Sequence, residues 1–166
     1  RNEALVEITH AGLGGATLKH EKGINLPNTH LSISSLTEVD CAHLPFIAEY
    51  ADVVGYSFVR RPEDVRQLQD KLEDLGRKDI GLVLKIETRE AFDNLPALLL
   101  TAMRNRKAGV MIARGDLAVE IGFERMAEVQ EEILWLSEAA HMPNIWATQV
   151  LENLAKNGLA TRGEIT

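Results

Sequence analysis

An apolar run of strand length, Ile80-Gly81-Leu82-Val83-Leu84-Lys85-Ile86-Glu87, lies at the middle of the 166-residue sequence. The run is apolar on both faces until its end, which is typical of a strand buried in a parallel sheet. Because side chains alternate along a strand, Lys85 and Glu87 share one face. The other face carries Leu82, Leu84 and Ile86. The sequence therefore predicts a buried strand that ends in a lysine and a glutamate lying side by side.

Similar apolar runs occur on both sides of this strand, separated by stretches with helical patterning. Strands are predicted at 51–59, 108–113 and 144–148, and helices at 61–76, 92–103, 123–141 and from 150 onward. Pro96 is expected to break the second of these helices into two. An earlier helix that ends at Tyr50 is predicted from the capping signature Ser35 to Glu38. The alternation predicts an α/β fold with four strand–helix units and a parallel sheet.

The first of these helices has a single apolar stripe, Val65, Leu68, Leu72 and Leu75. The spacing predicts that all four side chains are buried. Gly76 is the expected cap at its C-terminus. Thr88 is the expected cap at the start of the next helical segment.

The first fifty residues differ in character from the rest. Ala4 to Ile8 is a candidate strand, Gly12 to Gly15 a candidate glycine turn, and Lys22 to Pro27 a candidate extended segment that ends at proline. These features are typical of the edge of a different, β-rich unit. We therefore expect the main domain to begin near residue 23.

The composition excludes several classes of protein. The chain is 45% apolar and 26% charged, a balance typical of globular α/β domains. Its net charge of −7 has the wrong sign for binding nucleic acid or an anionic membrane. The single cysteine, Cys41, cannot form an internal disulfide, and no apolar run approaches the roughly 20 residues that cross a bilayer. We expect a cytoplasmic protein with no nucleic-acid or membrane partner.

Polar side chains follow three of the four predicted strands, at the points where the strands end. Lys85 and Glu87 end the second strand, Arg114-Gly115-Asp116 follows the third, and Thr148-Gln149 ends the fourth. Parallel α/β folds bind their ligands at the carboxyl ends of the strands. The joint occurrence at successive strand ends favours a functional site over three unrelated local structures.

The residue types at these strand ends favour a hard cation. Glu87 and Asp116 are carboxylates, Thr148 adds a hydroxyl, and no histidine or cysteine is among them, which favours Mg²⁺ or Mn²⁺ over zinc. Lys85 beside them would neutralise an anion. Metal and lysine together would stabilise the charge that develops on oxygen during phosphoryl transfer. The same metal would also stabilise an enolate.

Each motif also has an ordinary structural interpretation. Lys85 and Glu87 could form a salt bridge at a strand end. Arg114-Gly115-Asp116 could be a turn with an acid at a helix start, and Thr148-Gln149 could simply begin a helix. The five histidines show no metal-ligand spacing to one another. Trp135 and Trp146 are expected in the core.

At these residues the sequence resembles the pyruvate kinase family. Lys85-Ile86-Glu87 is similar to the family's Lys-Ile-Glu strand, and residues 111–121, Met-Ile-Ala-Arg-Gly-Asp-Leu-Ala-Val-Glu-Ile, are similar to its Ala-Arg-Gly-Asp-Leu-Gly-Val-Glu signature. Four further segments match in the family's order: Lys22 to Pro27, Ser57 to Arg60, Ala147 to Glu152 and Thr161 to Glu164. The resemblance thus extends from about residue 22 to the last residue.

The resemblance implies the (β/α)₈ TIM barrel of the pyruvate kinase type, of which four strand–helix units are about half. Residues 1–22 would be the end of the family's inserted β-rich lid domain, and residues 23–166 a partial barrel catalytic domain. The implied reaction transfers the phosphoryl group of phosphoenolpyruvate to ADP and gives pyruvate and ATP. This activity would reside in the full-length chain, which the resemblance implies is a homo-oligomer, and the fragment alone would be inactive.

The resemblance also implies roles for individual residues. Lys85 would stabilise the transferring phosphoryl group, and Glu87 and Asp116 would be ligands of Mg²⁺ or Mn²⁺. The amides of Gly115 and Asp116 would hold the substrate carboxylate, as helix N-termini hold anions. Thr148 would lie against the enolate and the substrate.

The resemblance implies two further features, a serine near the site and a K⁺ ion. Ser57 corresponds to a serine at a strand end near the site. The family also implies a K⁺ ion, whose ligands would lie outside this chain.

Some residues depart from the family's pattern. Ala118 replaces the usual glycine, Ile121-Gly122 lacks the usual proline, and Gly163 replaces alanine. Trp146 stands where a small or sulfur-containing residue is common. Among these, Trp146 is expected to change the shape of the pocket most.

Two other functions stay open at this point. A non-catalytic homologue would bind metal and a small carboxylate or phosphate and act as a regulatory or structural partner. A metal-dependent lyase or aldolase acting on phosphoenolpyruvate or pyruvate would use Glu87 and Asp116 only to hold an enolate. Such an enzyme would not need Lys85.

Overall fold

The structure is a computed structural model, and it describes residues 5–8, 12–15, 17, 20, 23–27, 29–148, 150–161 and 164. The strands are Val53–Tyr56 (β1), Gly81–Ile86 (β2), Ala108–Ala113 (β3) and Asn144–Ala147 (β4). The helices are Glu38–Tyr50 (α1), Pro62–Asp74 (α2), Arg89–Asp93 (α3), Leu95–Ala102 (α4), Arg114–Ile121 (α5), Met126–Ala139 (α6) and Glu152–Asn157 (α7), with a 3₁₀ turn at Phe123–Arg125.

The four strands form one parallel sheet in the order β1-β2-β3-β4. Helical segments separate each strand from the next, so the predicted strand–helix units and parallel sheet are confirmed. In β2, Leu82, Leu84 and Ile86 are at most 1% exposed and lie in the core. Lys85 lies on the opposite face and is half-buried, as the alternation predicts.

Helix α2 begins and ends where the sequence predicts. Pro62 occupies its first turn, where a missing N–H costs nothing. Val65, Leu68 and Leu72 are buried, but Leu75 lies one residue beyond the helix and is 39% exposed. Gly76 has φ +74°, and the amide of the next residue, Arg77, donates to Leu72 O at 2.8 Å. This left-handed turn ends the helix.

The helical segment after β2 is divided in two, as Pro96 predicts. Thr88 Oγ1 accepts a hydrogen bond from Ala91 N at 3.1 Å and caps α3, so the predicted cap is confirmed. Pro96 lies in the first turn of α4. The segment begins at Arg89, three residues before the predicted start.

The residue predicted to cap α1 is wrong by two positions. Thr37, rather than Ser35, is the N-cap residue. Thr37 Oγ1 accepts from Asp40 N at 3.1 Å, and Asp40 Oδ2 accepts from Thr37 N at 2.9 Å. Both Ser35 to Glu38 and Thr37 to Asp40 fit the capping pattern, and the second pair makes the reciprocal hydrogen bonds.

Two further helical segments differ from expectation. Residues 114–121 form a complete helix, α5, which Gly122 ends with φ +92°. The helix predicted over 123–141 instead begins as a 3₁₀ turn and becomes α-helical at Met126. Ala118, which replaces the family's usual glycine, is buried inside α5.

Trp146 does not face the predicted site. Parallel pairing places Trp146 opposite Ile112, which is buried on the helix-covered face of the sheet. Lys85 pairs with Met111 and therefore lies on the other face. Trp146 is 46% exposed and Trp135 64% exposed, so the prediction that both belong to the core is also wrong.

The described residues between Leu5 and Pro27 form no helix or strand. Leu5 to Ile8 form no strand, and Ala4 and Lys22 lie outside the described residues. The predicted glycine turn is present, because Gly15 N donates to Gly12 O at 2.8 Å. Gln149 and Gly163 also lie outside the described residues. The assignment of residues 1–22 to a lid domain stays a prediction.

In the part of the chain that the structure describes, every helix is too short or too polar to cross a bilayer.

The α1 cap gives a testable expectation. Thr37→Ala removes the hydroxyl that caps the helix and should lower the local stability of α1 by about 1 kcal/mol. The Thr37 hydroxyl and amide, which both donate to Asp40, lower the pKa of its carboxyl. That contribution is present near neutral pH and is lost as the pH falls through the lowered pKa. Hydrogen exchange of the α1 amides, measured near pH 7 and in acid, tests both statements.

Glu38→Gln is the matched control for Thr37→Ala. It removes an exposed acid from the first turn without touching the cap, so it should change the stability of α1 by about 0.3 kcal/mol, the low end of the range for such charges. Equal effects of the two substitutions would contradict the assignment of the cap to Thr37.

Candidate functional site

The strand ends of β1 and β2 bring three predicted site residues into direct contact. Lys85 Nζ lies 2.9 Å from Glu87 Oε1 and donates a hydrogen bond to Ser57 Oγ at 2.8 Å. The Lys85 side chain is 27% exposed, whereas that of Glu87 is only 3% exposed. The arrangement is an ion pair in which the anion is buried and the cation still reaches solvent.

A backbone amide holds the other oxygen of Glu87. Phe58 N donates to Glu87 Oε2 at 2.5 Å. Phe58 has φ +50°, in the left-handed region that bulky residues rarely adopt. Sequence patterning missed this contact, because an amide donor carries no side-chain signal.

The second group of predicted residues lies where β3 meets α5. Helix α5 begins directly after the last residue of β3, so Gly115 and Asp116 are in its first turn. Gly115 N donates to Thr148 Oγ1 at 3.1 Å, and Thr148 Oγ1 donates to Ala147 O at 2.6 Å. Because the N-terminus of a helix carries partial positive charge, this turn is suited to bind an anion.

Strand register explains why these two groups share one edge of the sheet. Lys85 pairs with Met111, and Met111 pairs with Ile145. The carboxyl ends of β2, β3 and β4 therefore lie in sequence along the sheet. Among the described residues, no hydrogen bond joins the Lys85–Glu87 pair to the Gly115–Thr148 pair.

Two cavities adjoin this edge of the sheet. One has a volume of about 560 Å³ and is lined by Asp116, Glu120, Phe58 and other residues. The other has a volume of about 460 Å³ and includes Ser57 and Phe58 in its wall. Phe58 lines both cavities, as do Leu31, Arg60 and Thr88.

The acids predicted to hold a metal, Glu87 and Asp116, carry the oxygen ligands that Mg²⁺ prefers. In the described part of the chain, no group of three or more histidine, cysteine, aspartate or glutamate side chains could hold a metal. The ligands predicted from the sequence, Glu87 and Asp116, would form a two-carboxylate set, which would suit Mg²⁺ because that ion keeps waters and takes its other ligands from the substrate. Each Glu87 oxygen makes one hydrogen bond or ion pair and keeps a further lone pair.

Tyr56 lies beneath the site on the opposite face of β1. Its hydroxyl is buried and has no hydrogen-bond partner among the residues that the structure describes. Burial raises the pKa of the Tyr56 phenol above its usual value. Tyr56 therefore stays neutral at physiological pH and adds no charge under Ser57.

Comparison with known proteins identifies relatives over nearly the whole chain. The family model described as "Pyruvate kinase, barrel domain" matches residues 2–166. The pyruvate kinase of Bacillus licheniformis is 38% identical over 159 residues, which cover 95% of this chain and 26% of that protein. The pyruvate kinase of Thermotoga maritima is 37% identical over 153 residues, which cover 92% of this chain and 32% of that protein.

A third relative gives the same result. The pyruvate kinase of Clostridium perfringens is 38% identical over 151 residues, which cover 90% of this chain and 31% of that protein. The chain thus spans about a quarter to a third of the length of these curated relatives.

The burial of Glu87 leads to a testable prediction. Glu87→Gln removes the anion that faces Lys85 and places an amide against the ammonium group. It should lower the free energy of unfolding by about 1–3 kcal/mol, the cost of a buried group that loses its partner. Urea unfolding in metal-free buffer, followed by circular dichroism, measures the change.

Glu73→Gln is the matched control, because Glu73 pairs with Lys78 in an ion pair whose side chains are 52% and 68% exposed. Exposed pairs contribute at most about 1 kcal/mol. Equal losses for Glu87→Gln and Glu73→Gln would refute the prediction that burial makes Glu87 special.

Proposed function

The chain belongs to the pyruvate kinase family, and we propose that the whole protein transfers the phosphoryl group of phosphoenolpyruvate to ADP, giving pyruvate and ATP. The observation that carries the proposal is the Lys85–Glu87 pair at the end of β2, with Ser57 bound to the same ammonium group. A partly exposed ammonium group held in place can stabilise the charge that develops on the phosphoryl oxygens during transfer.

Lys85 is proposed to stabilise the phosphoryl group as it transfers. Its ammonium group is held by Glu87 and Ser57 on one side and reaches solvent on the other. A cation held in place in this way is oriented before the substrate arrives, so little reorganisation is needed when charge develops on the phosphoryl oxygens. Ser57 contributes by fixing the position of Lys85.

The N-terminal turn of α5 is proposed to bind the substrate carboxylate through the amides of Gly115 and Asp116. The Gly115 amide donates to Thr148 Oγ1 in this structure. An incoming carboxylate oxygen would replace that hydroxyl as the acceptor. Thr148 would then be free to turn toward the enolate, which is the position proposed for it.

Glu87 and Asp116 are proposed to hold Mg²⁺ or Mn²⁺. When bound, the cation supplies positive charge that stabilises oxygen anions of the substrate. K⁺ is proposed from the family, with ligands outside this chain. Lys85 and the α5 amides bind and orient the substrate around these acids.

The wider assignments are proposed on the same basis. Residues 23–166 would form about half of the family's barrel, and residues 1–22 the end of an inserted lid domain. The whole protein would be a cytoplasmic homo-oligomer acting in glycolysis, with phosphoenolpyruvate, pyruvate, ADP and ATP as ligands and with no nucleic-acid or membrane partner. We propose that the 166 residues alone are inactive.

Lys85→Met tests the proposed catalytic role. The substitution keeps the length of the side chain and removes its charge, so phosphoryl transfer should fall by several orders of magnitude while metal binding persists. The assay is ATP formation from phosphoenolpyruvate and ADP with Mg²⁺ and K⁺, using the protein expressed from its complete gene. Lys78→Met is the control, because Lys78 lies in an exposed pair.

The outcomes separate the candidate functions. Comparable ATP formation by Lys85→Met and the unaltered protein would reject the role of Lys85. An inactive unaltered protein that still binds metal would favour the non-catalytic homologue. Formation of pyruvate and inorganic phosphate without ATP would be hydrolysis and would reject transfer to ADP. Metal-dependent formation of a carbon–carbon bond between pyruvate and an added aldehyde, without ATP, would favour a lyase or aldolase.

Asp116→Asn tests the metal site. Removing one of the two proposed carboxylate ligands should weaken Mn²⁺ binding by about tenfold or more. Replacing a residue that only hydrogen-bonds to a metal ligand already has an effect of this size. Asp93→Asn is the control, because Asp93 lines the same cavity as Asp116. Electron paramagnetic resonance of free Mn²⁺ gives both dissociation constants, and equal values would contradict the assignment of Asp116.

A further inference from the structure

The turn between β1 and α2, residues 57–61, touches both charged residues at the end of β2. Ser57 Oγ accepts from Lys85 Nζ, and Phe58 N donates to Glu87 Oε2. One contact is made by the short side chain of Ser57 and the other by the backbone amide of Phe58. Neither group can move far without movement of the turn itself. The position of the turn therefore sets the positions of Lys85 and Glu87.

The turn holds this position against its own backbone preference. Phe58 adopts φ +50°, which is unfavourable for a bulky residue. Strained backbone persists only where the surrounding structure fixes it at several points. The groups that fix this turn are therefore part of how the site is positioned.

Asp64, in the first turn of α2, fixes the turn through its carboxylate. Asp64 Oδ2 accepts hydrogen bonds from Arg60 N at 2.9 Å, from Arg61 N at 3.0 Å and from Ser35 Oγ at 3.0 Å. Asn94 Nδ2 donates to Arg60 O at 3.0 Å. Both backbone groups of Arg60 are thus held.

The Arg60 side chain extends the same network to residues 31–35. Its guanidinium donates to Leu31 O at 2.9 Å, to Ile33 O, and to Ser35 Oγ at 3.3 Å. The Ser35 hydroxyl thus joins the Arg60 guanidinium to the Asp64 carboxylate. We call Arg60, Asp64 and Ser35 the turn clamp.

We propose that Arg60 is a positioning residue for the site: through the turn clamp it holds Ser57 and Phe58 where they orient Lys85 and Glu87, and it fastens residues 31–35 to the same turn. The proposal deepens the proposed function and, for its activity readout, rests on it. Only arginine supplies a planar fork of donors that reaches three acceptors at once, because a lysine offers a single point charge.

Arg60→Lys and Asp64→Asn test the proposal in the protein expressed from its complete gene. We expect each to weaken Mn²⁺ binding by about tenfold, the size of effect seen when the hydrogen-bond partner of a metal ligand is lost. We expect kcat to fall by a larger factor than KM for phosphoenolpyruvate rises, because the α5 amides proposed to hold the substrate carboxylate are untouched. Arg66→Lys is the control, because Arg66 lies on α2 in an exposed ion pair with Glu63.

The readouts separate positioning from a purely structural role. A structural role would lower the midpoint of thermal unfolding and leave Mn²⁺ affinity and kcat of the folded protein at the level of Arg66→Lys, which would overturn the proposal. Ser35→Ala is the milder variant if Arg60→Lys does not fold, since it deletes one hydroxyl of the clamp. A loss of Mn²⁺ affinity of about threefold supports the proposal, and no loss overturns it.

The two proposals can fail separately. If the unaltered protein forms no ATP, the proposed function fails, and the turn clamp is judged on Mn²⁺ affinity alone. If the unaltered protein is active and the clamp variants match Arg66→Lys in both Mn²⁺ affinity and kcat, the turn clamp fails and the proposed function stands.

Discussion

The buried carboxylate of Glu87 is the constraint on which the candidate site depends. A charged group removed from water is costly unless it is paired and hydrogen-bonded. Glu87 meets this requirement with Lys85 on one oxygen and Phe58 N on the other. The second contact comes from the end of a different strand, so β1 and β2 must be aligned for Glu87 to be buried at all. The parallel pairing of Gly55 with Val83 provides that alignment.

The two faces of the sheet have different roles. Leu82, Leu84 and Ile86 pack against the helices and hold β2 in the core. Lys85 lies on the other face of β2, and Glu87 follows the last residue of the strand. Because alternation is strict, anchoring one face fixes the direction of the other. By the same alternation of side chains, Trp146 lies on the helix-covered face of the sheet and not on the face that carries Lys85. The fold thus positions the site mainly through the packing of residues that never touch it.

Sequence patterning predicted what depends on side-chain spacing and missed what depends on particular hydrogen bonds. The faces of β2, the stripe of α2 and the cap at Thr88 follow from period and residue type. Period and residue type do not decide whether Thr37 or Ser35 caps α1, because both residues fit the capping motif. The extent of α5 does not follow from periodicity, because the helix is short and starts directly at the end of a strand; only the resemblance implied a helix start at Gly115 and Asp116. The face on which Trp146 lies depends on the register of β4, which residue spacing does not give.

Backbone strain at the site follows a pattern that no side-chain rule predicts. In the described part of the chain, Phe58 and Thr148 are two of four non-glycine residues with positive φ, and each lies just past the end of a strand, β1 and β4. Each also completes a hydrogen bond of the site, Phe58 with Glu87 and Thr148 with Gly115. Strain of this kind persists only where neighbouring contacts over-determine the backbone. At Phe58 those contacts include the three hydrogen bonds to Asp64, so the stability of the surrounding fold is what maintains the geometry around Glu87.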